Sequence, residues 1–225
     1  WMWNEFFEGI RPLAQALKAC LTGNLRFFHR ALILKRMNDM QAELQNHFLV
    51  AMPSLLDVNF SQAVIYLCAY NEEGAMGIII NRPILDINLG EVLGQMRIDT
   101  KLDDIRSSPV LLGGPVQPER GFIIHRPNTE WQSTLMAGDD IGVTSSQDIL
   151  EAMAVGEGPD DAVVILGYAG WGPDQLEKEI SDNFWLTAPA DHDILFNVPF
   201  EERWRAAASS VGVDLTKLSS DVGHA

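Results

Sequence analysis

Two short apolar runs, QAVIYLCAY (62–70) and MGIIIN (76–81), stand on either side of the tetrapeptide NEEG (71–74). Both are rich in β-branched and aromatic residues, which favour the extended backbone. NEEG has the length of a hairpin connection, with Gly74 supplying the turn. The runs FLVAM, VLLGG, RGFIIH, WQSTLM, AVVILGYAG and FWLTAPA repeat the texture elsewhere. Helical spacing is confined to a few stretches. NLGEVLGQM places Leu89, Val92, Leu93 and Met96 on one face, and SSQDILEAMAVG does the same for Ile149, Leu150 and Met153. Ser145 and Asp148 suggest a capping-box-like start to the latter. GPDQLEKEI and PFEERWRAAASS, with Pro199 in its first turn, complete the helical set. No repeat or Ser/Gly linker divides residues 37–225, so the pattern predicts one α+β domain of strand hairpins and few helices.

Charge separates that domain from what precedes it. The 225 residues carry a formal net charge of -15. Residues 1–36 hold six Lys/Arg against two acids, leaving ten basic and twenty-nine acidic residues beyond them. Leucines at helical spacing in this first segment make it a basic amphipathic helix, suited to a membrane surface or to targeting. The other reading is favoured: Met37 opens MNDMQAELQNHF, a natural-looking start, so residues 1–36 are expected not to be native. An acidic body repels duplex phosphates, which makes direct nucleic-acid binding by residues 37–225 the weaker reading. Cys20 and Cys68 form neither a disulfide framework nor a CxxC zinc signature. Lone cysteines fit a reducing cytoplasm, and the apolar runs are core-sized rather than membrane-sized.

The stretch GYAGWGPDQLEKEI (167–180) tests whether a phosphate cradle is present. It lacks the Lys-Ser/Thr pair of a P-loop, and its glycine order is not the dinucleotide fingerprint. Asp174, Glu177 and Glu179 follow at once and would repel a bound anion at the helix start. The reading is a corner: Gly172-Pro173 opens a helix, while Gly170 lets Trp171 swing outward.

NEEGAMGIIINRP (71–83), GGPV (113–116), RGFIIH (120–125) and GYAGWGPDQLEKEISDNFWLTAPAD (167–191) together resemble the YqgE/AlgH family of bacterial proteins. The resemblance runs from near Met37 to about residue 210 in the family's usual order. It implies a bifurcated, mostly antiparallel sheet bent into a pseudo-barrel with a few flanking helices, and a cytosolic location. Some members carry the label of transcriptional regulator of alginate synthesis, but no established activity defines the family. One departure is Cys68-Ala69-Tyr70, where many relatives have Cys, an acid and His.

Candidate chemistry is sparse. His125 ends the RGFIIH strand and is more often a packed histidine than a general base. Asp191-His192-Asp193 offers metal-type ligands, yet adjacent side chains on a strand face opposite ways. One of these acids more simply caps the next segment. No metal or cofactor is called for. Cys68 is a candidate redox thiol, but Glu72 and Glu73 disfavour a thiolate, and burial as a structural Cys is the simpler reading. Strict alternation puts it on one face with Tyr66 and Tyr70. Asn81, Arg82, Gly113, Gly114, Arg120, His125 and Trp171 form a candidate ligand pocket, the two arginines and the glycine N–H groups suiting a small anion. Their other reading is pairing with local acids at strand ends.

Two functions follow. The favoured one is a non-catalytic regulatory or interaction protein using its acidic surface and exposed aromatics such as Trp171 or Trp131. The alternative is a protein, or an enzyme, that binds a small anionic ligand near Arg82, Gly113, Gly114, Arg120 and Trp171. The partner is an unidentified protein or small molecule, and no membrane is involved unless residues 1–36 are native.

Overall fold

A computed structural model describes residues 44–127 and 129–218. The segment before Met37, with its amphipathic pattern, lies outside the described residues. Ten strands form one sheet: β1 (His47–Ala51), β2 (Val64–Asn71), β3 (Gly74–Ile79), β4 (Pro83–Asn88), β5 (Pro109–Leu112), β6 (Val116–His125), β7 (Thr134–Met136), β8 (Gly142–Thr144), β9 (Ala162–Trp171) and β10 (Trp185–Pro189). The helices are α1 (Leu89–Gln95), α2 (Asp103–Ser107), α3 (Asp148–Val155), α4 (Gln175–Ser181), α5 (His192–Phe196), α6 (Arg203–Ser210) and α7 (Leu215–Leu218). Among these residues no helix is long and apolar enough to cross a membrane.

The main path runs β10-β1-β2-β3-β9-β6-β8-β7, and it forks at β9. One edge of β9 pairs with β6. The other pairs first with β5, in parallel through Val164–Leu166, and then with β3, antiparallel through Ala169–Trp171. The sheet is therefore bifurcated and otherwise antiparallel, and it curls into a half-barrel flanked by helices, as expected from the family resemblance.

Continuous apolar runs arise because the central strands are covered on both faces. Phe48, Val64, Tyr66, Ile78, Ile80, Phe122 and Ile165 share one core, closed by Ile194 and Leu195 of α5 and Ala207 and Ala208 of α6. Their neighbours Leu49, Ile65, Leu67 and Ile79 point the other way, into a second core with Trp171, Leu176 and Trp185. A third core packs Ile123 and Val164 against Leu89 and Leu93 of α1 and Ile149 and Met153 of α3. Each large apolar side chain fully buried in this way contributes about 1.5–3 kcal/mol.

Local signals were mostly sufficient. The NEEG hairpin forms, with Asn71 opposite Gly74 at φ +132. Helix α1 has a full capping box, Asn88 accepting from the Glu91 N–H while Glu91 accepts from the Asn88 N–H. In α3 the Ser145–Asp148 box does not form. Asp148 instead accepts from Ser146, Ile149 and Gln132 with both oxygens. These hydrogen bonds hold its carboxyl below the ordinary value, against the opposing effect of desolvation.

Strict alternation along β2 fails at one place. Leu67 pairs with Gly77 but Ala69 with Met76, so Cys68 is an extra, unpaired residue. This bulge reverses the faces beyond it. Tyr66 and Cys68 join the first core, whereas Tyr70 turns to the second.

Candidate functional site

Strand β9 runs on through the glycines that looked like a turn, reaching Trp171 opposite Ala75 of β3. The corner comes later: Asp174 takes a left-handed conformation at φ 59, and α4 begins at Gln175. Trp171 therefore swings inward rather than outward. It is 7% exposed, which corrects the expectation of a surface indole. Trp131, the other aromatic expected at the surface, is half-buried against the third core. Gly77 makes room chiefly for Ile65, whose Cγ2 would lie 2.4 Å from an added Cβ, with the Trp171 ring next at 3.3 Å.

The Trp171 indole N–H donates to Glu179 Oε2 at 2.8 Å, and the Trp185 indole N–H donates to the same oxygen at 2.8 Å. Gln175 donates to the other oxygen, Oε1, at 2.9 Å, and its own Oε1 accepts from the Gly172 N–H at 3.1 Å. The two indoles meet edge-to-face at 81° with centroids 6.1 Å apart, and Phe60 meets Trp185 at 76° and 5.8 Å. These rings, with Phe184, Asp57 and Glu179, line a half-open recess of about 230 Å³.

Its rim is the 52–63 loop, and Arg82 and Asn81 shape that loop. Arg82 Nη1 donates to the Val58 carbonyl at 3.2 Å and to that of Asn59; Nη2 donates to Ser61 O at 2.7 Å. Burial pulls the Arg82 pKa below its ordinary value, and the nearby Asp57 carboxylate opposes that fall. Asn81 Oδ1 accepts from the Val64 N–H at 2.9 Å, and its Nδ2 donates to Gln62 O at 2.9 Å. Both polar side chains are thus engaged with loop and strand backbone.

Of the seven residues expected around one pocket, Trp171 lines this recess. Gly113 and Gly114 sit where the sheet forks. A Cβ on Gly113 would lie 2.3 Å from the Gly167 carbonyl oxygen, and one on Gly114 2.3 Å from the Tyr168 carbonyl. Their lack of side chains lets two backbones touch, and the Gly113 N–H is already donated to Leu166 O at 2.7 Å. Arg120 lies on β6, its Nη1 3.4 Å from Gln117 Oε1 and its guanidinium 5.3 Å from the Phe122 ring centre.

His125, at the other end of β6, is fully buried. Its Nε2 lies 2.8 Å from Thr144 Oγ1, which lies 2.6 Å from Thr134 Oγ1. Nδ1 is buried without a hydrogen bond of normal geometry. Desolvation lowers the His125 pKa, and the Arg126 backbone offsets part of that effect. Cys68 is also fully buried, its Sγ 3.4 Å from Tyr66 O, and burial pushes the thiol far above its ordinary value. That environment keeps the sulfur protonated.

Asp191 caps α5 by accepting from the Ile194 N–H at 3.0 Å. His192 Nε2 lies 2.6 Å from Asp140 Oδ2, and Asp193 accepts from the Asn197 side chain at 3.1 Å. Among the described residues no three His, Cys, Asp or Glu side chains converge as metal ligands would.

Sequence reasoning missed Glu179, Trp185 and Phe60 as neighbours of Trp171. The first two left a trace in the local density of tryptophan and acid in WGPDQLEKEISDNFW, whereas Phe60 left none. Convergence depends on α4 folding back over β9 and on the long loop after β1.

The profile of the AlgH-like family matches residues 48–216. A UPF0301 protein of Nitrosococcus oceani is 50% identical over 181 residues, covering 80% of this chain and 96% of that one. A second, from Thioalkalivibrio sulfidiphilus, is 55% identical over 182 residues, with the same coverage. The solution structure of the AlgH protein from Pseudomonas aeruginosa superposes with a TM-score of 0.67 at 49% identity, covering 81% of this chain and 96% of that one. A crystal structure from Corynebacterium diphtheriae shares the fold, with a TM-score of 0.63 at 18% identity, over 79% of this chain and 92% of that one.

Proposed function

The chain belongs to the AlgH-like family, and on that premise we propose a non-catalytic regulatory or interaction protein of the cytoplasm. It acts without direct nucleic-acid contact and engages its partner at the Trp171–Trp185–Glu179 recess. Residues 37–225 are the domain that does this.

One observation carries the reading. Leu56 and Val58, on the loop that forms the recess rim, are 85% and 84% exposed. Phe184, lining the recess, is 37% exposed. Apolar side chains held in water beside an open, aromatic-walled recess are what a contact surface presents. The carboxylate at its centre is held by three neutral donors, an arrangement suited to recognition rather than to proton transfer.

The test is affinity capture with the wild-type chain and with Leu56→Glu/Val58→Glu. These substitutions alter exposed side chains and leave the cores intact, which a thermal melt verifies. A partner retained by wild type and lost by the variant supports the reading. A partner retained equally by both places the contact elsewhere and overturns it.

A further inference from the structure

Resting on that reading, we infer that the recess receives the basic side chain, lysine or arginine, of a partner protein. Glu179 is the centre of the argument. Its three hydrogen-bond donors, the Trp171 indole, the Trp185 indole and the Gln175 amide, are all uncharged. They orient the carboxylate without neutralising it, so a half-buried negative charge faces the recess with no cation of its own in the described contacts. Arg82, which holds the rim loop, gives its guanidinium to three loop carbonyls and interacts with Asp57, the other acid of the recess.

The aromatic walls add to this. Phe60, Trp185 and Trp171 stand in a chain of nearly perpendicular contacts, at 76° and 81°. These contacts run edge to face, and where a ring face borders the recess it attracts an ammonium or guanidinium group. Donating both indole N–H groups to a carboxylate polarises the rings further in the same sense. A phosphate or carboxylate ligand would meet repulsion from Glu179 and Asp57.

A side chain carried on a protein fits better than a free amine. The recess is small and half-open, with room for the end of one side chain. The exposed Leu56 and Val58 beside it offer apolar contact that a free cation would leave uncovered. The expected occupant is therefore a basic residue flanked by apolar ones.

Indole N–H resonances of the full-length chain report on this directly. End-blocked Leu-Arg-Leu and Leu-Lys-Leu peptides are titrated against Leu-Gln-Leu, Leu-Glu-Leu and free methylguanidinium. The basic peptides are expected to shift the Trp171 and Trp185 signals and to bind at least tenfold more tightly than the neutral or acidic ones. Glu179→Gln keeps an oxygen for the indoles and removes the charge, at the loss of the Gln175 hydrogen bond, and should weaken the basic peptides about tenfold, with a thermal melt checking that the fold survives. Asp57→Asn is the second variant, should the first perturb folding. Equal shifts from neutral or acidic peptides overturn the cation inference and leave the recess reading standing. Methylguanidinium binding as tightly as Leu-Arg-Leu overturns the protein source. Silence from every probe overturns the inference outright, and the rim variants then judge the recess on its own.

Discussion

Arg203 carries a guanidinium to a site only 2% exposed, at the start of α6. There Nε donates to Val198 O at 2.9 Å and Nη1 to Ile80 O at 2.7 Å, while the cation lies 4.5 Å from the Phe200 ring centre. Burial pulls its pKa below the ordinary value, yet it remains charged at neutral pH. The planar fork ties the C-terminal helices to the end of β3 and reaches carbonyls that nothing smaller spans. Arg203→Ala strands both carbonyls and leaves a cavity, costing about 3–5 kcal/mol. Arg203→Lys, with a point charge in place of a fork, costs less, about 1–3 kcal/mol. Urea midpoints of the two variants check the order. His125 makes the pH prediction at this scale. Its folded pKa is depressed by burial, so between that value and the ordinary 6.5 the unfolded chain binds the proton and the native chain does not. Stability is therefore full above about pH 6.5 and falls as pH drops below it, by at most about 1.4 kcal/mol per pH unit for one histidine. Urea midpoints between pH 8 and 5 should fall less in His125→Gln than in wild type.

Strands and helices were legible where one residue's neighbours decide its state. The NEEG hairpin, the α1 face and the Asp191 cap follow from turn chemistry, periodicity and a side-chain oxygen at an N-terminus. Legibility ended where two distant backbones meet. In GGPV the glycines read as open N–H donors, whereas they answer a demand set by β9: Gly114 has φ +152 and Gly167 φ +76 where the sheet forks. The bulge at Cys68 likewise answers the partner strand and leaves no mark in the β2 sequence. The recess was illegible for the same reason. Trp171 was singled out, but its pairing with Trp185 through Glu179 depends on a register and a helix packing made elsewhere. Gly114→Ala tests the account of the fork. The added methyl meets backbone at 2.3 Å in a conformation that L side chains rarely adopt, so neither neighbour yields cheaply. A loss of about 2–4 kcal/mol in chemical denaturation is expected. Gly94→Ala is the control: its Cβ meets nothing within 4 Å in a helix, and it should be neutral or stabilising by up to about 1 kcal/mol.

At the scale of the whole molecule, charge decides which partners approach. Beyond residue 36 the chain holds twenty-nine acids against ten Lys/Arg, so its field draws cations and turns polyanions away. That field and the Glu179 recess favour the same kind of partner. Long-range attraction raises the encounter rate, while the contact itself sets how long the complex lasts. Duplex DNA is the opposite case, since its affinity depends on clustered basic side chains displacing counterions from the phosphates, and this domain's sequence has no such run. Retardation assays at about 0.15 M salt, where the Debye length is about 8 Å, separate these expectations. Residues 37–225 should leave duplex mobility unchanged. The full chain carries six further Lys/Arg in residues 1–36, so any retardation by it should vanish with that segment and fall steeply with added salt. Retardation by residues 37–225 alone, persisting as salt rises, would mean a locally basic surface overrides the net field. The electrostatic argument against direct nucleic-acid contact would then fail.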